Sequence, residues 1–149
     1  MTHKILFSVL FAITMFASSC TKEEVVTVDS SLPSGAFTVS KSGNITPQSD
    51  TGSKGKVELG KDASAVNFVK LGSDFSTVLA TGTVSVYLST SATFKADPGK
   101  GNPDLKLIGI ISKNGEQYFK MASAPESKFT HLILWCGSAN VPFGNAMLQ

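Results

Sequence analysis

Thr83-Val84-Ser85-Val86-Tyr87-Leu88-Ser89 is the stretch on which the fold class turns. Val84, Val86 and Leu88 alternate with Ser85, Tyr87 and Ser89, the period of two that marks a strand with one face in a core. Working outward, Asp104 to Ile111 (DLKLIGII) reads as another strand. Lys113-Asn114-Gly115-Glu116 follows, and its Asn-Gly pair predicts a tight hairpin into Gln117–Met121. His131 to Cys136 (HLILWC) is the most hydrophobic strand of the β-prone part, and Phe143 to Leu148 closes the chain. Upstream lie Phe37–Val39, Lys56–Leu59 and Ala65–Leu71, separated by polar stretches at 44–55 and 93–103. From Gly35 onward no helical period of useful length occurs. The expectation is an all-β domain, an antiparallel β-sandwich or sandwich-like barrel of about 7–9 short strands.

Composition agrees. The chain has 149 residues, 42% hydrophobic but only 16% charged, with 33 Ser and Thr and 13 Gly, a mixture that favours strands and turns over helices. Every basic residue other than His is Lys, and the net charge is +2. Nucleic-acid binding asks for a concentrated basic face and usually for Arg forks on phosphate, so no nucleic-acid partner is expected.

The first residues look removable. Met1–Lys4 is a short basic start, and Ile5 to Phe16 (ILFSVLFAITMF) is an apolar run of 12 residues, long enough for a signal peptide and too short to span a bilayer. Ala17-Ser18-Ser19-Cys20 then resembles a bacterial lipobox, in which Cys20 takes a diacylglyceryl group and palmitate-type chains and becomes the new N-terminus. Two or three acyl chains hold a domain stably at a membrane surface. Residues 1–19 are therefore read as a lipoprotein signal peptide, 20–34 as a lipidated tether and 35–149 as the β domain. The expected place is the cell envelope, at the outer membrane, and Lys22-Glu23-Glu24 resembles the tag of some surface-exposed lipoproteins.

Few residues remain for chemistry. Beyond the leader there is one histidine, His131, and two cysteines, Cys20 and Cys136. They cannot build a His/Cys zinc cage, so no metal site is expected. Cys20 is the lipid anchor, which leaves Cys136 without an internal disulfide partner. On a regular strand Leu132, Leu134 and Cys136 share one face, and His131, Ile133 and Trp135 share the other. A Cys–His nucleophilic pair is thus disfavoured, and a hydrolase built on His131 lacks a nucleophile elbow. The expectation is that the chain is not an enzyme on its own. Cys136 is open to two readings. It is a small buried hydrophobe with a raised pKa, or, since Gly137-Ser138-Ala139-Asn140 follows it, a thiol near solvent at a strand's end. Trp135 and Tyr118 are expected to be core aromatics.

Leu132–Cys136 with Val141-Pro142-Phe143-Gly144-Asn145-Ala146 and Leu148 resembles the C-terminal signature of the electron-transfer DM-thirteen domain. Leu107 to Tyr118 is similar to that family's hairpin, Val84–Ser89 to its central strand and Gly35-Ala36-Phe37 to its opening. The resemblance implies a β-sandwich-like domain whose cysteine, here Cys136, acts in redox chemistry. It would do so as a free thiol or as a ligand of a prosthetic group such as haem, with a redox or envelope protein as partner. Two places depart from the pattern: Gly82-Thr83-Val84-Ser85 stands for Gly-Pro-Asp-Leu, and Ile45-Thr46-Pro47-Gln48 has no His. The alternative function is a non-enzymatic binding or adhesion module with 44–55 and 93–103 as contact loops.

Overall fold

The computed structural model describes residues 31–95 and 102–149. The expected signal peptide, Cys20 and most of the expected tether lie outside the described residues, as does the segment 96–101 of the Gly/Pro loop.

Nine strands and no helix make up the described residues: β1 (Thr38–Asn44), β2 (Thr46–Pro47), β3 (Lys56–Lys61), β4 (Asn67–Leu71), β5 (Val84–Ser89), β6 (Leu105–Ile110), β7 (Gln117–Met121), β8 (His131–Cys136) and β9 (Val141–Met147). They form two antiparallel sheets, ordered β1-β3-β4-β7 and β2-β9-β8-β5-β6. The all-β sandwich is as expected. Between the sheets lies one core that includes Val57, Leu59, Val69, Leu71, Val84, Val86, Leu88, Phe119, Leu132, Leu134 and Phe143. Alternation selects them: Val84, Val86 and Leu88 of β5 lie in register with Cys136, Leu134 and Leu132 of β8. Removing one such leucine to Ala costs about 2–5 kcal/mol. At one seam the sheets are stitched by backbone, where Ser42 N–H donates to Gln149 O (2.8 Å) and Gln149 N–H donates to Ser42 O (3.0 Å).

Three local expectations need correcting. Lys113–Glu116 does not close a hairpin, because β6 is the edge of one sheet and β7 the edge of the other. Gly115 has φ +84° but Asn114 is not left-handed, so the two-centre positive-φ turn is not formed. Asn114 Oδ1 instead accepts from Thr77 N–H (2.9 Å), and Gly115 N–H donates to Phe75 O (2.8 Å). Those distant partners bend the chain across from one layer to the other. Second, the polar stretch 44–55 is no free loop: Thr46–Pro47 pairs with β9, and Ile45 and Ser53 are buried. Pro47 is tolerated because β2 is an edge strand that needs no N–H on its outer side.

Third, Trp135 and Tyr118 are not in the inter-sheet core. Each belongs to an aromatic cluster on an outer face. Tyr118 meets Phe37 edge-on (5.9 Å) and Phe68 (6.3 Å), with Lys70 Nζ 5.7 Å above its ring. Trp135 stacks on Phe94 with centroids 4.0 Å apart and planes within 9°, and Tyr87 meets Phe94 edge-on at 5.2 Å.

Candidate functional site

Strand β8 lies inside its sheet, between β5 and β9. Its alternation puts Leu132, Leu134 and Cys136 on one face, as read from the sequence, and that face is the core, while His131 and Trp135 are half-buried on the opposite face. His131 and Cys136 therefore do not meet. His131 Nδ1 shares a 2.9 Å hydrogen bond with Thr130 Oγ1 instead.

Cys136 ends β8, paired with Val84 on one side and Val141 on the other. It is a free cysteine and is 0% exposed, so the sulfur does not open to solvent as its place at the strand's end suggested. Its cover is thin, however. Thr81, Gly82, Ser138 and Ala139 lie over it, and all four are exposed. Ser138 Oγ is 3.3 Å from Cys136 Sγ, and the carbonyl of Thr81 is 4.0 Å from it. Ser138 Oγ also lies 3.3 Å from that carbonyl, to which it donates. The room for this hydroxyl comes from Gly82, whose φ is +128°. A Cβ there would stand 2.0 Å from Ser138 Oγ and 3.7 Å from the sulfur.

The arrangement favours thiolate. The Ser138 hydroxyl is the largest influence pulling the thiol pKa below its ordinary 9.0, burial opposes it, and the main-chain N–H groups of Ala139 and Ser138 add to the lowering. The donors prevail because the sulfur sits directly beneath an exposed turn rather than deep among aliphatic groups. The thiol form donates S–H toward the Thr81 carbonyl. The Ser138 hydroxyl lies within reach of both that carbonyl and the sulfur, so it can donate to either. One hydroxyl thus serves both states.

A haem does not fit here. A porphyrin iron bound to this sulfur would occupy the space of Thr81, Gly82 and Ser138, where even one added methyl collides. Among the described residues no group of three or more His, Cys, Asp or Glu is placed to hold a metal ion. A second polar feature lies at the same end of the sandwich. Thr51, Ser53 and Thr77 form a hydroxyl chain, with Thr51 to Ser53 at 2.8 Å and Ser53 to Thr77 at 2.6 Å, which Thr51 ties to the Phe143 carbonyl (2.6 Å). Each hydroxyl is satisfied, so the chain pins the 44–55 segment to β9.

Sequence reasoning found Cys136 and its facing but missed Ser138, Thr81 and Gly82. A Gly-Ser step just past a strand-end cysteine is a weak signal. The contacts that make it meaningful come from a loop 55 residues away.

No curated protein and no solved structure matches the chain. A family model described as electron transfer DM13 matches residues 45–148, which takes in β2 through β9, Gly82 and the whole surround of Cys136. With two antiparallel sheets and that match across most of its length, the chain belongs to the electron transfer DM13 family.

Proposed function

We propose that this chain is a cell-envelope lipoprotein, held to the membrane by acylated Cys20, whose DM13 domain transfers electrons through Cys136 acting as a bare thiol. One observation carries the role of Cys136: the buried sulfur is met by the Ser138 hydroxyl at 3.3 Å, on a turn whose main-chain N–H groups also favour thiolate. An inert core cysteine needs no such company, and its pKa would be raised by burial. Oxidation chemistry of a thiol runs through its thiolate, which these donors stabilise. The domain is a carrier rather than an enzyme, and its partner is a redox protein of the envelope.

The test is a pH titration of Cys136 alkylation in the folded protein, run beside Ser138→Ala. Alkylation is slow throughout, since the sulfur is covered, and its midpoint lies below the ordinary thiol value in the wild type. In Ser138→Ala the midpoint rises. An unchanged midpoint would remove the argument for thiolate chemistry. A visible absorption band in purified protein would overturn the bare-thiol reading. A Cys136→Ser strain with an unaltered phenotype would favour the adhesion module.

A further inference from the structure

The sulfur of Cys136 is sealed, so a bulky electron carrier cannot touch it. Trp135 is the next residue along β8 and points to the opposite face, where it is half-buried and in part open to solvent. One peptide unit separates the sealed sulfur from the partly open indole. The indole lies flat on Phe94 at 4.0 Å, and Tyr87 closes edge-on against Phe94. The surrounding face is unusual in its charge. Strands β2, β5, β6, β8 and β9 contain no Asp or Glu and one Lys, Lys106. The four-stranded sheet carries Lys41, Lys56, Glu58, Lys61, Lys70 and Lys120 on its strands. Aromatic enrichment with charge depletion is the composition of an interface core.

Resting on the redox reading of Cys136, we infer that Trp135, stacked on Phe94, is the electronic contact between the buried sulfur and one-electron carriers at the outer face of the five-stranded sheet. Trp135 is a positioning residue in this scheme, since the reacting atom is the sulfur. In the oxidising step the S–H bond of Cys136 breaks. The electron leaves by Trp135 to a one-electron acceptor, such as a ferric centre, which is reduced by one electron. The proton leaves by the Ser138 hydroxyl to water, and a thiyl radical stays on Cys136. A one-electron donor at the same face, with a proton from water, restores the thiol.

The test uses the full chain and hexachloroiridate(IV), a bulky one-electron oxidant, with hydrogen peroxide as a small oxidant that must reach the sulfur itself. Unreacted Cys136 is counted by alkylating the denatured protein and weighing its peptide. Trp135→Phe keeps an aromatic ring on Phe94, and Trp135→Tyr keeps a side chain that can give up an electron. Thermal melting establishes that both are folded. The expected result is a drop of about tenfold in the hexachloroiridate rate for Trp135→Phe, one decade of barrier, with most of it restored in Trp135→Tyr. Peroxide rates are expected to be equal in all three proteins. Equal hexachloroiridate rates would overturn the inference, and so would a Trp135→Phe loss shared by peroxide or not restored by Tyr. If the wild-type thiol survives both oxidants, the redox reading of Cys136 itself fails.

Discussion

The two outer faces of this sandwich are built on one plan and finished differently. Each bears a small aromatic cluster lying over its sheet: Phe37, Tyr118 and Phe68 on the four-stranded side, and Phe94, Trp135 and Tyr87 on the five-stranded side. On the first, charge covers the rings. Lys70 lies over Phe37 and Tyr118 and joins Glu58 and Glu116 at 3.4 Å each, while Lys56 reaches Glu58 at 2.7 Å. On the second no such network is present among the described residues, and the face presents rings, Ser85, His131 and Asn145. A lysine–glutamate lattice is a solvated finish that discourages association, whereas an uncharged aromatic face is suited to contact. The face without charge is also the one whose tryptophan adjoins the buried thiol.

Gly60 lies beneath the Phe37 ring of the four-stranded cluster. A Cβ there would stand 2.4 Å from the Thr38 carbonyl and 2.6 Å from the Phe37 ring. Gly60→Ala is expected to lose about 3 kcal/mol in denaturant unfolding, because a backbone carbonyl cannot yield as a side chain does. On the other face Phe94→Ala is expected to cost about 2 kcal/mol, less than full core truncation because Phe94 is half-buried. The same variant shifts the emission of Trp135, the single tryptophan, to the red as its stacking partner goes. An unshifted spectrum would show that Phe94 does not cover the indole in solution.

Glu58→Gln sharpens the contrast in charge and is expected to cost about 1 kcal/mol at neutral pH. The Lys56 hydrogen bond, against opposing burial and with Lys70 nearby, holds the Glu58 pKa below its ordinary 4.5. Its stabilising effect is therefore present above 4.5 and fades as pH falls through the lowered folded value. Wild type and Glu58→Gln should converge in acid melts, and an offset that persists there would point to packing instead. The smallest effect concerns Cys136, whose folded pKa lies below 9.0. Stability should gain slightly as pH rises toward and through 9.0, in the wild type and not in Cys136→Ala, when melting points are compared at matched salt.

Much of this fold could be read from local alternation. Val84–Ser89 and His131–Cys136 declare which side chains share a face, since period-two order is a property of neighbours. What escaped reading depends on groups far apart in the chain. Asn114-Gly115 looks like a hairpin until Thr77 and Phe75 arrive to claim its donors and acceptors. Thr46–Pro47 looks like loop because only an edge position excuses the proline. The same holds for the site. Cys136 was visible as the sole thiol of the β domain, but its polar surround is made by Ser138 and Thr81, brought together only where Gly82 leaves space. Trp135 and Tyr118 carry no local mark that separates a ring between sheets from one lying outside them.

Opposite Trp135 the β8–β9 ladder slips. Trp135 faces Pro142 while Leu134 faces Gly144, so Phe143 is an extra residue whose ring turns into the core. The hairpin's length is therefore not free to drift. Deleting either Pro142 or Phe143 would regularise the pairing but withdraw a core ring or the carbonyl that holds Thr51. Length changes one step past Val141 should therefore be rejected by the fold itself, making this short kink a ruler for the whole corner.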